Sequence, residues 1–155
     1  MVKRIFDEGH QVGSHTWSHP NLDHLKSEDR KIEVLKGEQA IFNVIGKRPA
    51  FMRAPYVTCG SECQKDMKAL GYHIADWQYD SADWMQKQEP VEHTVARLTA
   101  DIKNHRNGSM FLIQHDTRKS APKLTRALLE YIDASDWKAT TLVECVGGSM
   151  ADAYQ

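Results

Sequence analysis

No charge of one sign dominates this sequence: 20 Lys+Arg stand against 21 Asp+Glu, a net charge of −1. That balance excludes a strongly basic nucleic-acid binder and an acidic tail protein. No apolar run approaches the ~20 residues that a membrane span requires. Residues 1–13 contain no apolar h-region, so no signal peptide is visible there. Internal repeats, low-complexity segments and Pro/Gly/Ser-rich linkers are absent. The 155 residues therefore read as one domain spanning 1–155, long enough to bury roughly 70% of its unfolded surface. Cysteine is scarce and odd in number, at three, which leaves one thiol for a lost or external partner.

What is present alternates between two periods. Short apolar runs at 11–14, 50–53, 72–79, 110–114 and 140–145 read as strands. Between them lie helical stripes. Ile32, Leu35, Phe42 and Ile45 share one face of a helix near 28–45. Val91, Val95, Leu98 and Ile102 make a second stripe, with Pro90 in or near its first turn. Leu124, Leu128 and Tyr131 make a third, with Ser120 as N-cap. A short helix over 61–70 ends at Gly71, a good residue just past a helix C-terminus. Regular alternation of strand and helix predicts a parallel α/β sheet or barrel of about five strands with flanking helices. In such folds the chemistry sits at the C-terminal ends of the strands.

The polar residues collect at those ends. His15-Thr16-Trp17-Ser18-His19 follows the first run, and Arg53-Ala54-Pro55-Tyr56 follows the second. Asp80-Ser81-Ala82-Asp83-Trp84 follows the third, and Gln114-His115-Asp116 follows the fourth. Four consecutive strands each deliver an ionisable group, and four such groups favour an active site over coincidence. His15 and His19, four apart on a turn, lie close enough to share one cation. His115 ends a buried strand, and histidine is the side chain best suited to proton donation near neutral pH.

Taken in order, these motifs resemble the polysaccharide deacetylase family, also called the NodB-homology domain or carbohydrate esterase family 4. The match runs over H-[ST]-x-x-H at His15–His19, R-x-P-[YF] at Arg53–Tyr56, D-x-x-D-W at Asp80–Trp84, and the aliphatic-x-His of Ile113-Gln114-His115. Gly9-His10-Gln11-Val12-Gly13-Ser14 and Gly46-Lys47-Arg48-Pro49 extend it as framework, so that it covers about residues 1–147. The family's first motif, T-F-D-D-G, is absent. Ile5-Phe6-Asp7-Glu8-Gly9 looks like it, but stands too close to His15 and is expected to be the end of a helix. The resemblance thus implies an incomplete (β/α) barrel of the polysaccharide deacetylase type, truncated at the N-terminus relative to the family.

The same resemblance implies roles. His15 and His19 are metal ligands for a divalent ion, zinc with cobalt as an alternative, whose third ligand belongs to the absent motif. His115 is the general acid, held and oriented by Asp80, while Asp83 is structural. Arg53 orients the catalytic-base Asp through a charge-assisted hydrogen bond. The backbone N–H of Tyr56 helps hold the oxyanion. Trp84 and Ile113 wall the pocket for the acetyl methyl. The implied substrate is chitin or a chitooligosaccharide, and Cys59-Gly60-Ser61-Glu62-Cys63 looks most like fungal chitin deacetylases. Cys59 and Cys63 are placed to bridge if their Cα atoms lie within ~7 Å. Cys145 is then left over, where fungal relatives pair a late cysteine with one near the N-terminus. The family and the cysteines imply a secreted or cell-wall protein. Acetylxylan or peptidoglycan is the alternative substrate, and a non-catalytic remnant that at most binds glycan is the alternative class.

Overall fold

The computed structural model describes residues 1–85, 89–105 and 108–155. The chain forms two compact units, one of Met1–Asp76 with Thr141–Gln155 and one of Trp77–Thr140. Both are α/β.

In the first unit α1 covers Val2–Asp7 and α2 covers Ser27–Ile45. Asp7 therefore lies in a helix, where Lys3 one turn earlier bonds its carboxylate at 2.7 Å. The helix-end reading of Ile5–Gly9 holds on that geometry. Strand β1, Phe51–Met52, pairs in parallel with β2, His73–Ile74. Of the expected 11–14 strand, Ser14 alone is paired, in a parallel bridge to Met52. Its N–H donates to the Phe51 carbonyl at 2.9 Å, and its carbonyl accepts from Arg53 N–H at 3.0 Å. That bridge sets His15 and Arg53 side by side. Helix α3, Ser61–Ala69, closes as expected at Gly71. Gly71 takes φ +80°, its N–H donates to the Lys68 carbonyl, and Tyr72 N–H reaches back to Met67. Both last carbonyls of the turn are thereby satisfied, which needs a left-handed residue and so a glycine. Tyr72 and Met67 then join Leu22, Val34, Met52, Ala54 and Cys63 in the core of this unit.

The face that α2 buries is not its apolar stripe. Ile32, Leu35 and Phe42 are exposed, while Arg30, Val34, Gly37 and Glu38 are buried. The buried charges are partnered, as burial demands. Arg30 donates to the Leu22 and Leu25 carbonyls and to Asp66. Glu38 accepts from Tyr72 Oη at 2.9 Å and Arg48 Nη1 at 2.6 Å. The Arg48 guanidinium also covers the Phe42 ring at 4.5 Å.

In the second unit β3, Tyr79–Asp80, pairs in parallel with β4, Leu112–Ile113. Helices α4, Val91–Asn104, and α5, Ala121–Asp133, pack their expected stripes together: Leu98, Leu124 and Leu128 form the core, with Val91 and Val95 against it.

Two strand expectations fail. The 72–79 run is not one strand, since His73–Ile74 ends the ladder on β1 and Tyr79 begins another on Phe111 and Leu112. The 140–145 run is a helix, α6, Leu142–Cys145. Thr141 Oγ1 accepts from Glu144 N–H while the Glu144 carboxylate accepts from Thr141 N–H. This reciprocal cap satisfies two helix-end donors and outweighs the β-branched composition. The described residues thus carry four short strands in two parallel pairs.

Cys59 and Cys63 are joined, with Cα atoms 5.0 Å apart, and Cys145 is free. Thiol titration in denaturant without reductant should therefore find one reactive group per chain. Peptide mapping should place it at Cys145, and a Cys145 bridge to either other cysteine would contradict the pairing.

Candidate functional site

The sequence-predicted residues fall into two groups, one in each unit. In the first, His15 follows the Ser14 bridge and donates Nδ1–H to the Arg53 carbonyl at 2.7 Å. A carbonyl only accepts, so Nδ1 carries the proton and Nε2 presents its lone pair. Arg53 Nη2 lies 3.5 Å from that Nε2. The His19 ring stands edge-on to His15 with centroids 4.7 Å apart, and Tyr56 stands edge-on to His19 at 4.8 Å. His15, His19, Arg53 and Tyr56 are thus brought together.

The backbone around them is unusual. Thr16 (φ 67°), His19 (59°), Tyr56 (57°) and Val57 (59°) all take left-handed conformations without being glycine. Each costs of order 1–3 kcal/mol and persists only where its surroundings hold it. Part of the holding is visible: Asn21 Oδ1 accepts from Thr58 Oγ1 at 2.8 Å, and Asp23 Oδ1 accepts from Gly60 N–H at 2.8 Å.

The pair suits the imidazole share of a metal site. A ligand histidine characteristically gives its other ring N–H to a carbonyl or carboxylate, as His15 does. Among the described residues no His, Cys, Asp or Glu joins them to make a three-membered ligand group. Catalytic zinc ordinarily takes three protein ligands.

In the second unit the surprise is which carboxylate meets His115. Asp83 Oδ1 lies 2.7 Å from His115 Nδ1, and Asp83 Oδ2 accepts His115 backbone N–H at 2.8 Å. The Asp83 side chain is 3% exposed against 30% for His115. Asp80, expected in that place, turns the other way. Its Oδ1 accepts Ala82 N–H at 2.7 Å and its Oδ2 accepts Trp84 Nε1–H at 3.1 Å. Asp80 therefore ties its own loop, a turn role to which aspartate two residues upstream is suited. Burial alone would push the Asp83 carboxyl up. The His115 backbone N–H, the His115 ring and the Ser81 hydroxyl outweigh it and hold Asp83 below the usual carboxylate range.

Arg97 on α4 was not singled out by sequence, yet it donates to the Asp80 and Ser81 carbonyls at 3.0 Å each and fixes the turn leading to Asp83. A lone arginine on a helix carries no such signal. Ile113, on β4, is buried while Trp84 is exposed. The open groove beside His115 is lined by Gln114, Asp116, Pro122, Thr125 and Arg126 rather than by those two.

Comparison with known proteins adds the context. The polysaccharide deacetylase family model matches residues 1–75. The chain is similar to the chitin deacetylase of Colletotrichum lindemuthianum, 33% identical over 160 residues that cover 99% of this chain and 63% of that protein. The solved structure of the chitin deacetylase from that fungal pathogen superposes with a TM-score of 0.91 at 31% identity, over 99% of this chain and 70% of the other. The peptidoglycan-N-acetylglucosamine deacetylase PgdA of Listeria monocytogenes is 27% identical over 147 residues, 95% of this chain and 30% of its own length. The chain thus spans less than two thirds of the length of either curated relative.

Proposed function

The chain belongs to the polysaccharide deacetylase family, and we propose that it works in removing N-acetyl groups from chitin or chitooligosaccharides, releasing acetate. The observation that carries this reading is the buried Asp83 carboxylate, which holds His115 through both the ring and the backbone. With Nδ1 engaged by Asp83, the transferable proton sits on Nε2 of His115, the atom that would protonate the departing amine. Asp83 balances the charge of the protonated ring and fixes its orientation, and so is a positioning residue in the place expected of Asp80.

His15 and His19 would hold a divalent metal, zinc or cobalt, through ring nitrogens. When bound, such an ion polarises the acetyl carbonyl and activates water. Tyr56, held left-handed, offers its backbone N–H to the developing oxyanion. Arg53 orients the base carboxylate. Cys59–Cys63 suits an oxidising compartment, so we place the protein outside the cell or in its wall. Among the described residues no helix is long and apolar enough to cross a membrane. The peptidoglycan relative keeps a second substrate in view.

Acetate release from chitin oligomers, with zinc or cobalt added, tests the reading. A protein of these 155 residues should release little, since two imidazoles without a carboxylate make a weak site and water activation lacks a base worth about 10²–10⁴-fold. The same protein extended upstream by a segment carrying T-F-D-D-G should be active. That activity should fall at least about 10²-fold with His15→Ala, His19→Ala or His115→Ala. Acetate from peptidoglycan but not from chitin would move the substrate. No acetate from either would leave a glycan-binding remnant. Full activity of the short protein would require a base within it, with Asp7 the first suspect.

A further inference from the structure

Residues 16–25, which follow His15, lie against one face of α2, and three side-chain positions on that face meet them. Arg30 Nε donates to the Leu22 carbonyl at 3.0 Å, and Arg30 Nη2 donates to the Leu25 carbonyl at 2.9 Å. One turn on, the Glu33 carboxylate accepts twice from Ser18, from the backbone N–H at 2.8 Å and from Oγ at 3.0 Å. One further turn on, Gly37 lets the loop come so close that an added Cβ would lie 2.9 Å from both the carbonyl carbon and the oxygen of Thr16. Positions 33 and 37 are i and i+4, stacked on one helix face. Thr16 and Ser18 thus fall on a surface shaped to receive them.

Between and beside these contacts stand Thr16 and His19, the two left-handed residues that turn the second imidazole toward the first. Within the loop, His19 N–H also donates to Thr16 Oγ1 at 3.1 Å. A left-handed threonine or histidine is uphill by itself, so the conformation needs an external template. An alanine at 37 would suit the helix better than glycine does. Glycine there is accounted for by the backbone contact.

We propose that the Arg30–Glu33–Gly37 face of α2 is the device that sets the His15–His19 pair, with Glu33 its principal positioning residue. The geometry stands by itself, and its consequence for metal binding rests on the reading of the pair given above. Two hydrogen bonds to a single serine fix both the position and the direction of the peptide that leads into His19. Removing them frees the loop to relax out of its left-handed residues and parts the rings. A helix-face glutamate is otherwise a solvated charge with no bearing on imidazoles 14 or more residues upstream in sequence.

The test reads the rings directly in the full 155-residue chain by NMR. The nuclear Overhauser effect between the His15 and His19 rings reports their approach, and the shifts of both rings during zinc titration report the dissociation constant. Glu33→Ala should abolish the ring-to-ring effect and weaken zinc binding about 10-fold or more, the range seen when a ligand's supporting contact is lost. Glu33→Gln should keep the effect and bind within about threefold of wild type. Its amide oxygen can accept from Ser18 N–H, while its amide nitrogen donates to Ser18 Oγ. Gly37→Ala should behave like Glu33→Ala although alanine favours the helix. Retention of the ring effect in both Glu33→Ala and Gly37→Ala overturns the proposal, as does Glu33→Gln failing as completely as Glu33→Ala. If zinc leaves both wild-type rings unmoved, the metal reading falls, and the ring-to-ring effect across the variants still decides the positioning role.

Discussion

Arg30→Met should lower the unfolding free energy by about 3–5 kcal/mol, the usual result of removing one partner of a buried ion pair. The Arg30 side chain is 6% exposed and that of Asp66 13%, with Nη1 and Oδ2 2.5 Å apart. Methionine fills much of the volume but leaves Asp66 with Ser27 Oγ at 2.8 Å and the half-exposed Lys31 at 3.4 Å. It also removes the Arg30 donor from the Leu25 carbonyl and one of two donors from the Leu22 carbonyl, which keeps Leu25 N–H at 3.3 Å. Against a total of about 5–15 kcal/mol for a domain, such a loss is most of the margin. Adding Asp66→Leu should recover part of it, because a buried apolar pair avoids desolvation. The Leu25 carbonyl would still go short, at about 1–2 kcal/mol. Acid should narrow the difference. Burial pushes Asp66 up, but Ser27, Arg30 and Lys31 together hold it below the usual carboxylate range. A depressed carboxylate adds stability that is present above about pH 4 and is lost as pH falls through its folded value. Urea unfolding at pH 7 and pH 3 measures both effects. A loss below about 1 kcal/mol at pH 7 would mean that the pair is not what holds α2 against α3.

Much of the site was legible because the chemistry follows the strands. Arg53 comes directly after β1, Asp80 ends β3 and His115 lies two residues past β4, each placed by an apolar run that the sequence displays. Gly71 and the α4–α5 stripes were legible for the same reason, since one periodic or conformational requirement dominates at each. The failures occur where a second signal outweighs the first. At 140–145 the apolar run suggests a strand, while Thr141 and Glu144 spell a reciprocal cap whose three-residue spacing was available in the sequence. On α2 the apolar stripe marks a helix but not its inner face. The inner face is chosen by carbonyls and carboxylates elsewhere in the chain that Arg30 and Glu38 must satisfy. Nothing local in the sequence announces those partners. Asp80 and Asp83 differ by one turn of loop, and D-x-x-D-W does not say which carboxylate faces the histidine. Ala82 at φ 56° and the Arg97 clamp decide it by reversing the chain between them.

That distinction makes the sharpest expectation about catalysis. Asp83→Asn should lower kcat/KM for acetate release from chitin oligomers by about 10²–10⁴-fold, the worth of a positioned acid or base. Asp80→Asn should lower it by less than about tenfold, the effect of weakening one or two loop hydrogen bonds. The comparison belongs in the upstream-extended protein, where turnover is measurable. An asparagine at 83 is nearly isosteric but cannot serve both donors of His115: one of its two terminal atoms is itself a donor and would face an N–H or force the ring to turn. At 80 the same change keeps an acceptor for Ala82 N–H or Trp84 Nε1–H, and the Arg97 bonds go to backbone carbonyls that do not change. Stability gives an independent check. The depressed Asp83 carboxyl contributes stability that is complete above about pH 4 and disappears as pH falls through its folded value. Asp83→Asn should therefore unfold at lower urea than wild type at pH 7, with the two converging on acidification below about pH 4. Equal losses of activity in the two variants would mean that the loop as a whole, and not the Asp83 carboxylate, sets His115. A larger loss for Asp80→Asn would return the orienting role to Asp80 and require the loop to rearrange when substrate binds.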